Sequence, residues 1–195
     1  SMRSPRTWRF VGSNDGSTWR NLYFETDYTV WTIQPRTINI DAGVKYSIYR
    51  LIVSEVGNIN DGGGSGQDSL QIAELTLYGY RDNDGSYPPY YMTGDTTTFD
   101  GESYGNGIYR ALASSIFSGF PAFNAFDYDF YSFYHSEEGK YEANTGNYIV
   151  APDSAMTVVN GITYLGEYIQ IQMPVKLRIS SVKISPRYDE QFFET

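Results

Sequence analysis

Apolar and polar positions alternate along much of this chain with a period of two, the spacing that sends successive side chains to opposite faces of a strand. Trp8-Arg9-Phe10-Val11 reads as a short strand, ended by the turn-forming run Gly12-Ser13-Asn14-Asp15-Gly16. Residues 37–40 follow a polar loop, and residues 46–53, 70–79, 166–174 and 177–184 alternate clearly, the third of these stopping at Pro174. Residues 148–150 and 156–159 are shorter strand candidates, and residues 107–115 read either as a strand or as one weak helical turn. No segment keeps a 3.6-residue period over three turns. Short strands separated by glycine- and proline-bearing turns predict an all-β sandwich or barrel.

The chain has 195 residues and no cysteine. That length supports one domain with a substantial core, and the composition excludes disulfides and thiolate zinc sites. Ser1-Met2 reads as a cloning scar, which leaves residues 3–195 as a single domain. Residues 81–86 are the best linker between residues 3–80 and 87–195, and neither half repeats the other. No apolar run approaches the roughly 20 residues of a membrane-spanning helix, so no membrane insertion is expected. The net charge of -9 argues against nucleic acid and anionic lipid as partners. It suits calcium, neutral glycans or basic proteins. Aromatic residues make up 17% of the chain, with 19 Tyr and 11 Phe, enough for both a β core and an adhesive surface.

Four motifs share a pattern. They are Gly12-Ser13-Asn14-Asp15-Gly16-Ser17-Thr18-Trp19; Tyr49-Arg50-Leu51 with Gln71-Ile72-Ala73-Glu74-Leu75-Thr76-Leu77-Tyr78-Gly79; Ala125-Phe126-Asp127-Tyr128-Asp129 with Phe133-Tyr134-His135-Ser136; and Gly166-Glu167-Tyr168-Ile169-Gln170-Ile171-Gln172-Met173-Pro174 with Ser185-Pro186-Arg187. Together they resemble the discoidin family, which includes the coagulation-factor type C domains, and most closely its Tyr-rich repeats in structural proteins of large DNA viruses. The order is rotated: the family's C-terminal half comes first. The resemblance implies a circularly permuted, discoidin-like jelly-roll sandwich in which Thr195 and Arg3 lie close together. It also implies an extracellular or virion-surface location.

The same resemblance implies a calcium site formed by Asp127, Asp129, Ser132 and Glu74, although Tyr128 stands where the pattern usually has glycine. The alternative is that Asp127 caps a turn and Glu74 makes a buried hydrogen bond. His135 is the only histidine, which excludes a histidine-rich metal site. It is either structural or a contact for a sugar hydroxyl. The acids Glu137, Glu138, Glu142 and Asp153 are scattered in loops and do not read as a glycosidase pair, so no enzyme activity is expected. Tyr23, Phe24, Tyr28 and Trp31 in one predicted loop, and Tyr128, Phe130, Tyr131 and Phe133 in another, are either core or recognition aromatics. The expected ligand contacts are Tyr23, Phe24, Trp31, Tyr128, Phe130, Tyr131 and His135, at one end of the sandwich. The expected function is carbohydrate recognition in adhesion. The alternative is a structural repeat of a viral or cell-surface fibre that packs against neighbouring copies of itself.

Overall fold

The computed structural model describes residues 3–32, 34–40, 43–57, 68–79 and 85–187. The glycine-rich run 61–66, residues 81–84 of the expected linker, and Thr195 lie outside the described residues. Fourteen strands follow one another: β1 Pro5–Ser13, β2 Arg20–Glu25, β3 Arg36–Asn39, β4 Tyr46–Val56, β5 Gln71–Ile72, β6 Glu74–Gly79, β7 Ser86–Tyr87, β8 Thr96–Phe99, β9 Gly107–Ala113, β10 Tyr134–His135, β11 Met156–Val159, β12 Ile162–Leu165, β13 Glu167–Leu177 and β14 Ile179–Ser185. They build a six-stranded sheet in the order β2-β1-β4-β13-β9-β8 and a four-stranded sheet in the order β3-β14-β6-β7, with two-stranded pairs β10-β5 and β11-β12. All these pairings are antiparallel. The architecture is all-β, as the alternation predicts.

The inner faces of the two sheets meet in one core. Phe10 of β1, Tyr49, Leu51 and Val53 of β4, and Ile169 and Ile171 of β13 pack with Leu75 and Leu77 of β6 and Val182 and Ile184 of β14. Burial of each such side chain stabilises the fold by roughly 1.5–3 kcal/mol. The intervening residues of β4 face the other way. Ile48 and Ile52 form a second, smaller cluster with Val11, Trp19 and Val159, with Tyr164 and Tyr168 packed against it. The β11-β12 hairpin therefore covers part of the outer face of the six-stranded sheet.

Arg50 is the buried centre of that cover. Its guanidinium donates to Gln170 Oε1 (3.0 and 2.7 Å) and to Thr157 Oγ1 (2.7 Å), and it lies between the rings of Trp19 (4.2 Å) and Tyr168 (3.7 Å). Burial pushes it down to about 10 from the usual arginine range.

Several elements differ from the sequence reading. Tyr23 and Phe24 lie in strand β2 rather than in a loop. The edge position and a bulge between Phe10 and Val11 remove the clean alternation. Residues 148–150 form no strand; Tyr148 makes only an isolated bridge to Tyr141. Strand β13 runs past Pro174 to Leu177, and its register shifts between Gln172 and Leu177, an irregularity that accommodates proline. Residues 107–113 are a strand. Gly166 is obligatory where β12 turns into β13: its φ is +153°, and a Cβ there would meet the Val53 carbonyl oxygen at 2.2 Å.

Candidate functional site

Leu75 and Leu77 point into the core, so Glu74, Thr76 and Tyr78 face the outer side of the four-stranded sheet. The segment Asp127–Ser132, which follows a short 3-10 helix at Ala122–Phe126, lies against this side. Glu74 is only 1% exposed there, and no donor reaches hydrogen-bonding geometry with either of its oxygens among the described residues. Burial, and then the Asp127 carboxylate facing it, push Glu74 up to about 9; the Tyr128 amide and Lys183 offset this in part. Ser185, directly opposite Glu74 in the ladder, also has a buried hydroxyl without a partner among the described residues.

The loop is internally tied. Ser132 Oγ donates to Asp127 Oδ2 (2.5 Å), the Asp129 amide donates to Asp127 Oδ1 (3.0 Å), and the Tyr131 amide donates to Asp129 Oδ1 (3.0 Å). Tyr128 adopts φ +59°, the left-handed conformation that glycine would take without strain. Its hydroxyl donates to the Pro88 carbonyl (2.5 Å), and this anchor offsets a cost of about 1–2 kcal/mol.

A calcium ion suits part of this donor set. Glu74 and Asp127 bring two carboxylates together, Ser132 adds a hydroxyl, and the orphaned Glu74 oxygens are the acceptors a hard cation needs. Asp127 and Asp129 both also accept hydrogen bonds within their own turn. No three acidic or histidine side chains converge among the described residues, so a cation here would draw its remaining ligands from hydroxyls and main-chain carbonyls.

Above Glu74 lies a pocket of about 240 Å³, walled by Thr76, Tyr78, Ser86, Tyr128, Phe130 and Lys183. Phe130 is 48% exposed and Tyr131 78% exposed at its loop. Thr76, Tyr78, Ser86 and Lys183 were not singled out in the sequence. The alternation that put Glu74 outward puts Thr76 and Tyr78 beside it.

The expected ligand aromatics divide into groups. Tyr128 and Phe130 stand near β7, one edge of the four-stranded sheet, and Tyr131 follows them in the same loop. Tyr23 and Phe24 belong to β2, and Glu25 of that strand pairs with Arg36 of β3, the opposite edge. Tyr23 packs on Trp8 at 5.2 Å, and Phe24 is stacked by the Arg9 guanidinium at 4.0 Å. Trp31 is buried, its indole donating to the Pro5 carbonyl (2.6 Å). The aromatic residues therefore do not converge at one end of the sandwich.

His135 is buried among Phe117, Phe120 and Phe133, with Nε2 at 2.9 Å from Ser69 Oγ. Burial, then Arg3 and Arg187, push it down to about 4. With its amide turned to suit its neighbours, the Gln71 oxygen accepts from Arg3 and His135 (3.2 Å each) and from Arg187 (3.3 Å). Arg3 and Arg187 thus meet around one side chain.

No family model matches the chain, and no curated protein or solved structure matches it either.

Proposed function

We propose that this is a non-enzymatic binding module with a discoidin-like fold in rotated order, displayed outside cells or on a virion, which recognises carbohydrate through the loop bearing Tyr128, Phe130 and Tyr131. The carrying observation is the combination at that loop. Exposed rings stand beside a pocket whose walls offer an ammonium, four hydroxyls and a buried carboxyl. Sugar rings are held by this mixture of aromatic faces and convergent polar groups. Calcium at Glu74, Asp127 and Ser132 would fix the loop beneath the ligand. The meeting of Arg3 and Arg187 at Gln71 supports the rotated order, because it brings the two ends of the described chain to one place. A glycan array with the intact chain, repeated with Tyr131→Ser and Phe130→Ser, tests the reading. Selective hits lost in both variants are expected; an array without hits at high protein concentration overturns it.

A second reading, module-to-module packing in a fibre, is favoured by the outward side of the β11-β12 hairpin. Met156 is 58% and Val158 44% exposed there. Concentration-dependent association in light scattering would support it, and a strict monomer would count against it.

A further inference from the structure

Four arginines lie on the outer face of the six-stranded sheet or at the hairpin covering it. Arg50 and Arg110 are placed there by alternation, because Tyr49, Leu51, Tyr109 and Ala111 belong to the core between the sheets. Arg9 stacks on Phe24 and on Tyr164 of β12, each at 4.0 Å. Arg20 Nη1 donates to Asn160 Oδ1 in the hairpin turn at 3.3 Å. None of the four pairs with a carboxylate among the described residues. By contrast Arg3 pairs with Asp68, Arg6 with Glu55 and Asp27, and Arg36 with Glu25. Strands β1, β8, β9, β11 and β12 contain no acidic residue. On a chain of net charge -9 these strands are free of acids, and the acids of the sheet's other strands are Glu25 of β2, Glu55 of β4 and Glu167 of β13, of which Glu25 and Glu55 are paired with Arg36 and Arg6.

Arg20 opens onto a pocket of about 390 Å³ between the turn after β1 and the turn of the hairpin, with Ser17, Thr18, Trp19, Val158 and Asn160 in its walls. Asp15, in the turn that carries Ser17 and Thr18, is turned into its own loop: Oδ1 accepts from the Ser17 and Thr18 amides (2.8 and 2.7 Å) and from Ser13 Oγ (3.0 Å). Those donors, with the Thr18 side chain, hold Asp15 ionised well below the usual carboxylate range, its charge hydrogen-bonded inside its own loop. The repulsion of the distant acids is screened beyond about 8 Å at physiological ionic strength, so the local groups govern contact.

We propose that this pocket is a second binding site, for the sulfate or carboxylate group of an acidic saccharide, with Arg20 as the charged fork, the Ser17 hydroxyl as a donor and Trp19 and Val158 as the apolar wall. The guanidinium plane suits two anionic oxygens at once. The site lies on the β2 side of the sandwich, whereas the Tyr131 loop leans on β7, so it stands or falls apart from the aromatic-loop reading.

The test is calorimetric titration of the intact chain with a sulfated tetrasaccharide prepared from heparin, at low and physiological salt. Binding is expected to weaken about tenfold or more in Arg20→Gln. It should also weaken in Asn160→Asp, which keeps a residue that tolerates the turn but sets a carboxylate beside Arg20. It should be unchanged in Tyr131→Ser, which separates this site from the loop. A desulfated tetrasaccharide that retains its uronates tells which anion is read: equal binding assigns the carboxylate, lost binding the sulfate. Undiminished binding in both Arg20→Gln and Asn160→Asp overturns the proposal. So does inorganic sulfate or polyglutamate binding as tightly as the saccharide, or no heat at either salt concentration.

Discussion

Two glutamates, both 1% exposed, show what burial can do to the same side chain. Glu167, at the start of β13, accepts from Ser114 Oγ (2.6 Å), the Ser115 hydroxyl and Tyr148 OH (3.0 Å). Its charge is met by donors from the segment just after β9 and from the loop bearing Tyr148, so the carboxylate fastens both to β13. Glu74, on β6, faces another carboxyl and has no donor in hydrogen-bonding geometry among the described residues. One carboxylate is satisfied by the fold. The other is left for a proton or a cation, which is how a site differs from a brace.

The largest expected effect breaks the brace. Glu167→Ala leaves three half-buried hydroxyls without this acceptor and should cost about 2–3 kcal/mol in a urea melt. A loss below about 1 kcal/mol would show that the hydroxyls find other partners.

Glu74→Gln should act in the opposite sense. The folded protein holds the Glu74 proton up to about pH 9, whereas the unfolded chain releases it near its ordinary value of 4.5. Stability is therefore fully present below about 4.5 and falls as pH rises towards 9. His135 adds the other limb, because its depressed value of about 4 removes stability as pH falls from 6.5. That limb is common to both proteins, so the difference between variant and parent isolates Glu74. Relative to the parent, Glu74→Gln should gain about 2 kcal/mol or more between pH 5 and pH 8. Parallel melting profiles would refute this. Calcium should raise the parent's Tm more at pH 8 than at pH 5 and leave Glu74→Gln unmoved; no shift in the parent at saturating ion removes the cation.

The smallest effect sharpens the contrast. Ser132→Ala removes one donor to Asp127 on a partly exposed loop and should cost about 1 kcal/mol. Any calcium shift should shrink with it, while the pH slope assigned to Glu74 remains.

Period-two alternation was enough to find β1, β4, β6, β13 and β14, because each buries one face against the core or more. It missed β2, where a bulge interrupts the pattern. It also missed β12, although Asn160-Gly161 between two apolar runs is a hairpin signal: both residues have positive φ, +52° and +82°. The approach of Asp127 to Glu74 came from motif resemblance, since the two are far apart in sequence. The Arg50 sandwich and the Glu167 brace could not be read at all. Each depends on which residues face one another across three or more segments, and that is set by register, not by local pattern.

The way Arg50 grips the hairpin has a consequence in acid. Its partners are an amide, a hydroxyl and two aromatic rings, none of which gains a proton on acidification. The links of Arg36 to Glu25 and of Arg3 to Asp68 fail once their carboxylates are neutralised. The hairpin cover should therefore stay seated on its sheet at a pH where those rim contacts have already let go.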